Sequence, residues 1–335
     1  MKRLLGFLAD NGVLVALIVL VIVCITQFGE AFLQPESIRN LFSQASYIGI
    51  ISVGMTFVIM TAGIDLSVGS LVALCGAVSI ITLNKLNGGG SPENVSILMA
   101  ALAALGVGAA AGLFNGLVIA FGRVAPFVVT LAGLAAFRSI ALVLGQGGEI
   151  RSQVPDFQEI GFGGIPIPGV TNPAGNPVIV YWSVLAFIGV ALFASFLLNY
   201  TRYGRYVIAV GANERAAKYS AIDTKAIKVW TYGFLGLLVG LAAFFNVARM
   251  NSVGTGSVGL FYELDAIAAV VIGGTSLRGG KGRIWGTVAG ALLLTLITTM
   301  MTWYRVDTNW QGVVRGVVIL VAVLLQRGSK SNDSN

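Results

Sequence analysis

Ten stretches of this chain carry almost no charge, and most of them are long enough to cross a lipid bilayer. They run over 11–29, 40–64, 66–84, 94–122, 124–148, 178–201, 230–248, 266–277, 284–304 and 310–326. A spanning helix needs about 20 predominantly apolar residues, so 266–277 alone is too short to cross by itself. Arg138 interrupts the fifth run. Composition agrees: 56% of the residues are hydrophobic and only 10% charged, where a soluble domain carries about 25%. The expected fold is an all-α polytopic membrane helix bundle of about ten transmembrane segments, with broken or short helices near 63–70 and 263–283. It forms one transmembrane domain over 1–327, followed by a polar tail at 328–335.

The net charge of +7 suits a topology signal better than nucleic-acid binding, because the charges sit between apolar spans and build no basic face on a soluble fold. Lys2 and Arg3 precede an apolar run that lacks a small-x-small cleavage site, so the first run is read as an uncleaved span. With that end in the cytoplasm, alternation places Lys2, Arg3, Arg123, the basic residues of 202–228 and 278–283, Arg327 and Lys330 inside, 14 of 21 in all. That asymmetry predicts both termini in the cytoplasm and an even number of crossings.

The absence of histidine removes the commonest general base and metal ligand, and with it the usual catalytic pair of an intramembrane enzyme. No catalytic residue, metal site or cofactor is expected. Cys24 and Cys75 lie in apolar runs and read as small buried hydrophobes. Gly279-Gly280-Lys281-Gly282 is not a phosphate-binding loop: Thr275 stands where the first glycine belongs and Gly282 where Ser or Thr belongs.

Glycines recur every fourth residue at 108, 112 and 116, at 236 and 240, at 286 and 290, and at 312 and 316. In lipid, helices associate through close backbone approach, so these stripes predict tight helix pairs, with a subunit interface possible for one of them.

Three places depart from a plain bundle. Gly63 to Ser70 separates two apolar runs by Asp65, which suits a cap on the following helix; the segment is either a tight cytoplasmic turn between two helices or irregular backbone inside protein or beside a water-filled cavity. The basic loop 202–228 contains Asn213, suited to cap a short helix that includes Glu214, Ala216 and Ala217; that helix could dock on a cytoplasmic partner or lie on anionic lipid. Glu263 and Asp265 precede a short apolar helix, where acids complement the N-terminal dipole, and glycine pairs end it. Short, glycine-interrupted segments point to a transporter's core. Asp65, Ser67, Asn115, Asn246, Glu263 and Asp265 are the candidate substrate-path residues, although buried Asn115 and Asn246 could equally serve as hydrogen-bonding glue between helices.

Gly54 to Ile59 with Gly63 to Ser70, Pro126 to Leu131, Gly211 to Ile222, and Glu263 to Gly274 with Gly279 to Gly282 resemble, in that order, the motifs of the ribose-type sugar permease family. That family is related to the branched-chain amino-acid permeases of ATP-binding-cassette importers. The similarity runs from about residue 40 to 326. One departure is Ala221, where the family's coupling loop usually has glycine. The resemblance implies a permease in the inner cell membrane that pairs with a second permease chain, either identical or different. Two cytoplasmic ATP-binding subunits would grip the loops around Asn213, Glu214, Ala216 and Ala217, and an external sugar-binding protein would deliver a monosaccharide, with the loop 145–177 facing it. A nucleoside or autoinducer-type cargo, or an ion-coupled secondary transporter using Asp65, are the alternatives.

Overall fold

The structure is a computed structural model and describes residues 12–172, 175–307, 310–317 and 320. In chain order the helices are α1 (Gly12–Phe28), α2 (Glu30–Leu33), α3 (Pro35–Met60), α4 (Val68–Gly88), α5 (Glu93–Gly122), α6 (Pro126–Leu144), α7 (Phe157–Phe162), α8 (Trp182–Tyr200), α9 (Arg202–Ala212), α10 (Glu214–Tyr219), α11 (Thr224–Met250), α12 (Tyr262–Ile272) and α13 (Ile284–Trp303). Further helical backbone lies at 310–317. The polar tail, Lys2, Arg3 and much of the last apolar run lie outside the described residues.

Among the described residues seven helices are long and apolar enough to cross a membrane: α3, α4, α5, α6, α8, α11 and α13. The protein is therefore an all-helical, multi-pass membrane bundle. Helix boundaries run past the uncharged runs where a long polar side chain can reach the interface: α11 begins at Thr224 and takes in Lys225 and Lys228, ahead of the run that starts at Trp230. The sequence did not announce two short antiparallel ribbons between helices. Strand β1 (Glu149–Arg151) pairs with β4 (Ser252–Gly254), and β2 (Gly164–Thr171) with β3 (Pro177–Tyr181).

Helices α3, α4 and α11 form the buried centre, while α5, α6 and α8 turn most of their surface outward. Outward side chains such as Leu102, Phe114, Phe127, Val143, Leu192 and Phe196 suit contact with lipid, which solvates apolar groups that water would reject.

Glycine explains the tightest helix pair. Gly108, Gly112 and Gly116 of α5 lie against the backbone of α11, and a Cβ at Gly236 would run into the Gly108 carbonyl. Bare backbone on both sides permits the close approach that membrane helices need in place of a hydrophobic drive. Gly286 and Gly290 of α13 likewise admit Gly273 and Ala269, and α3 joins the same helix through a 2.8 Å hydroxyl pair, Thr56 with Thr287. Gly312 and Gly316 have no atom of the described residues within 4 Å of a would-be Cβ.

Loop 202–228 marks one end of the bundle, called here the basic end; Lys225 lies over the Phe121 ring at 4.7 Å, so α5 ends there and α6 starts nearby. The ribbons mark the opposite end. There the Arg249 guanidinium donates to Ser43 and Asn40 at 2.9 Å each and stacks over Phe162 and Tyr181, fastening α3, α7, β3 and the end of α11 together. Cys24 and Cys75 are both buried.

Candidate functional site

The first break follows α3. Ala62 takes a left-handed conformation (φ 60°), with Gly63 N donating to Val58 O at 3.0 Å and Ala62 N to Ile59 O at 2.9 Å; this paired bonding closes off the helix end. The chain then runs irregularly to Val68. Asp65 is not the helix cap that its position suggested. Its Oδ1 accepts from Ser67 N at 2.8 Å and from Ser67 Oγ at 2.6 Å, which makes it the head of an Asx turn one step ahead of α4; Ser67 occupies the cap position. Asn115 Nδ2 of α5 donates to Ser67 Oγ at 3.1 Å. Thr130 of α6 and Tyr232 of α11 donate to the Ile64 carbonyl at 3.3 and 3.5 Å. Asp65, Ser67 and Asn115 are therefore brought together.

The cluster lies inside the protein. Asn115 lies two turns short of Gly122, and Tyr232 two turns past Thr224. At 1.5 Å per residue both are about 10 Å inside the basic end. Asp65, Ser67 and Asn115 are all buried. The segment is irregular backbone enclosed by protein, one of the two settings in which such backbone is tolerated in a membrane protein.

The second break is longer. From β4 the chain turns through 255–261 and enters α12, whose 11 residues span about 16 Å, half of a hydrocarbon core. As expected, 266–277 does not supply a full crossing. The two breaks meet where Gly69 and Gly259 touch backbone to backbone, with the Glu263 carboxylate beside them. Arg138 ties them together, donating to Thr255 O at 3.0 Å, to Val258 O at 2.8 Å and to Gly69 O at 3.4 Å. Non-helical carbonyls in an apolar setting need donors, and one guanidinium supplies several in a fixed fork. Sequence reasoning noted Arg138 as a lone charge in an apolar run but gave it no role; that isolation was the signal.

The first turn of α12 gathers most of the remaining candidates. Asp265 pairs with Arg315 of the C-terminal helical stretch at 3.4 Å, and Asn246 Nδ2 donates to Tyr262 OH at 3.3 Å. A cavity of about 30 Å³, lined in part by Asp265, Thr295, Thr298 and Arg315, adjoins the ion pair. That volume holds a water molecule, not a sugar. At the ribbon end an open depression of about 480 Å³ is lined by polar side chains that include Asn84, Gln146, Glu149 and Gln153.

The basic end is wired to α12. Thr201 caps α9 and Asn213 caps α10, its Oδ1 accepting from Ala216 N at 3.0 Å. Glu214 turns inward, bonding Lys228 Nζ at 2.8 Å and Thr224 Oγ1 at 3.3 Å, and Ala217 is buried. Partial burial pushes the Glu214 carboxyl up, but the hydrogen bond and charge of Lys228, aided by Lys218, outweigh that and hold it below the usual glutamate range. Ala221 adopts φ 59° and closes α10 with Ile222 N donating to Ala217 O at 3.1 Å and Ala221 N to Lys218 O at 3.0 Å. This explains why a glycine suits that position: the left-handed region costs a Cβ-bearing residue. Gly211 packs on the Met60 carbonyl and on Gly280, Gly279 meets Gly211 O, and Gly280 N donates to Met60 O at 2.9 Å. The loop that follows α12 thus rests directly on the C-terminal end of α9, just ahead of α10.

A break between two full spans that meets a half-length helix inside the bundle, that helix being linked to a basic loop at one end, defines a polytopic transport protein. The chain belongs to the family described as the branched-chain amino acid transport system / permease component, which matches residues 37–323. It is 40% identical over 322 residues to the ribose import permease protein RbsC of Escherichia coli K12, covering 96% of this chain and 94% of that protein. It is 33% identical over 338 residues to the galactose/methyl galactoside import permease protein MglC of the same strain, with 97% and 96% covered. It is 34% identical over 349 residues to the xylose transport system permease protein XylH of Haemophilus influenzae, with 90% and 91% covered. No solved structure matches.

Proposed function

We propose that this chain is the membrane-spanning permease subunit of an ATP-driven importer for a monosaccharide. The observation that carries the reading is end-to-end similarity to permeases named for ribose, galactose and xylose. A neutral, hydroxyl-rich cargo also fits a bundle whose interior carboxylates already have partners, Asp265 in Arg315 and Asp65 in Ser67. Bond-making chemistry lies elsewhere, on ATP-binding subunits.

Ten crossings account for the fold: the seven long helices, α1, a composite crossing of 252–272, and the last apolar run. Both termini then face the cytoplasm of the inner membrane, and the basic end meets the ATP-binding subunits. The ribbon end meets the external binding protein. With a water-sized cavity between α12 and α13, the sugar path forms against a second permease chain. Half-buried Asn246 and Glu263 reach that path, Asp265 sets the first turn of α12 beside it, and Asp65, Ser67 and Asn115 hold its wall.

In mechanism, closure of the ATP-binding subunits displaces α9 and α10. The contact of Gly211 with Gly279 and Gly280 passes that displacement to α12. Two arrangements of α12 and of the break it touches then expose the path alternately to either side, each nucleotide state favouring the arrangement it binds better.

The test is reconstitution with the candidate ATP-binding subunit and binding protein from the same genome, followed by uptake of labelled ribose, galactose and xylose. Uptake that needs ATP and the binding protein is expected. Sugar accumulation by the chain alone on a proton or sodium gradient overturns the proposal; ATP-driven uptake of nucleosides and not of sugars overturns the cargo assignment.

A further inference from the structure

Of the four residues expected to face a partner, three are spent inside the chain. Asn213 caps α10, Glu214 bonds Lys228 and Thr224, and Ala217 is buried. The outward face of α10 is made instead by Arg215, Ala216, Lys218 and Tyr219. Tyr219 is 93% exposed, more than any other large hydrophobic side chain among the described residues. It stands on a helix fixed at both ends, by the Asn213 cap and by the Ala221 closure.

The membrane surface lies short of this helix. Aromatic side chains collect where lipid headgroups begin, and on this end Tyr200 and Trp230 are 75% and 63% exposed on α8 and α11. Glu214 bonds the first turns of α11, at Thr224 and Lys228. Trp230 is deeper on α11, about 9 Å from Thr224 and about 3 Å from Lys228. Helix α10 therefore begins on the water side of the aromatic level. A rigid aromatic flanked by cations is the side-chain set that anchors protein interfaces.

We infer that Tyr219 is the anchor by which this chain engages its ATP-binding subunit, with Arg215 and Ala216 completing the contact, and that the partner offers an apolar slot of phenol width rimmed by carboxylates. The inference rests on loop 202–228 being the docking loop. Tyr219 and Arg215 set the strength of docking, while Glu214 sets the shape of what docks.

The experiment measures binding of the candidate ATP-binding subunit to the chain in phosphatidylcholine nanodiscs, with thermal unfolding of each variant as the folding control. Tyr219→Ala is expected to weaken binding by tenfold or more with an unchanged melting temperature, and Tyr219→Phe by less than threefold. Arg215→Ala is expected to flatten the dependence of affinity on salt. Native affinity in Tyr219→Ala overturns the anchor and leaves the docking loop standing. Tyr219→Ala that binds normally but loses affinity for phosphatidylserine vesicles assigns the side chain to lipid and equally overturns it. If the unaltered chain fails to bind the subunit at all, the docking-loop reading falls as well.

Discussion

The Asp265–Arg315 pair permits a prediction with a worked magnitude. The Asp265 side chain is 5% exposed, that of Arg315 is 23% exposed, and they approach to 3.4 Å. At an effective dielectric constant near 20 two unit charges at that separation attract by about 5 kcal/mol. Removing each ion from water costs several kcal/mol, so the intact pair comes close to breaking even, whereas a lone survivor keeps its penalty without compensation. Asp265→Leu and Arg315→Met should therefore each destabilise the protein by about 3–5 kcal/mol, and the double variant should return to within about 1 kcal/mol of the parent. Thermal unfolding of the four proteins in one detergent closes the double-mutant cycle. Single variants costing under about 1 kcal/mol, or a double variant costing the sum of the two, would refute the reasoning: the groups would then be separately solvated and not a pair.

Gly236→Val should push α5 from α11 and cost more than about 2 kcal/mol, read as loss of monodisperse protein in size-exclusion chromatography; Gly189→Ala, with open space around it, should gain about 0.5 kcal/mol as helix propensity predicts. Ala221→Gly relieves a left-handed residue worth about 1–2 kcal/mol and gives back about 0.4–1 in unfolded-chain entropy, so it should add about 0.5–1 kcal/mol; a lowered melting temperature would contradict the φ of 59°. Glu214 has a carboxyl held below its ordinary value of 4.5, so its tie to Lys228 is in full force above that value and weakens as pH falls through the depressed one. Hydrogen exchange over 214–228 should rise on acidification below pH about 4.5, and Glu214→Gln should show raised exchange at neutral pH without that step.

Local signals were legible before any coordinates. Most of the uncharged runs among the described residues are helical, Asn213 capped the helix it was expected to cap, and the glycines at 108, 112, 236 and 240 met across one helix pair. Those features depend on residues within a turn or two of each other, or on a repeat that any close partner satisfies. What the chain concealed depends on distant partners. Nothing near Asp265 in sequence indicates Arg315, and nothing near Arg138 indicates the carbonyls of Thr255 and Val258. The ribbon of β1 and β4 was missed for a different reason: its strands are three residues each, too short for alternation to register, and they are strands only because a partner about a hundred residues away satisfies their backbone. Asp65 was misassigned as a cap because an Asx turn and a helix cap draw on the same residue types, and only the bond to Ser67 separates them.

Where Gly211, Met60, Gly279 and Gly280 touch, no side chain lies between the main chains. A joint built of bare peptide has no give: rotamers cannot absorb a push there, and methyl groups cannot be trimmed or added to soften it. Such a linkage works without backlash, so a movement of an ångström at the basic end arrives as an ångström at α12. The same stiffness limits variation, since even an alanine at 211 would drive its methyl into the Met60 carbonyl.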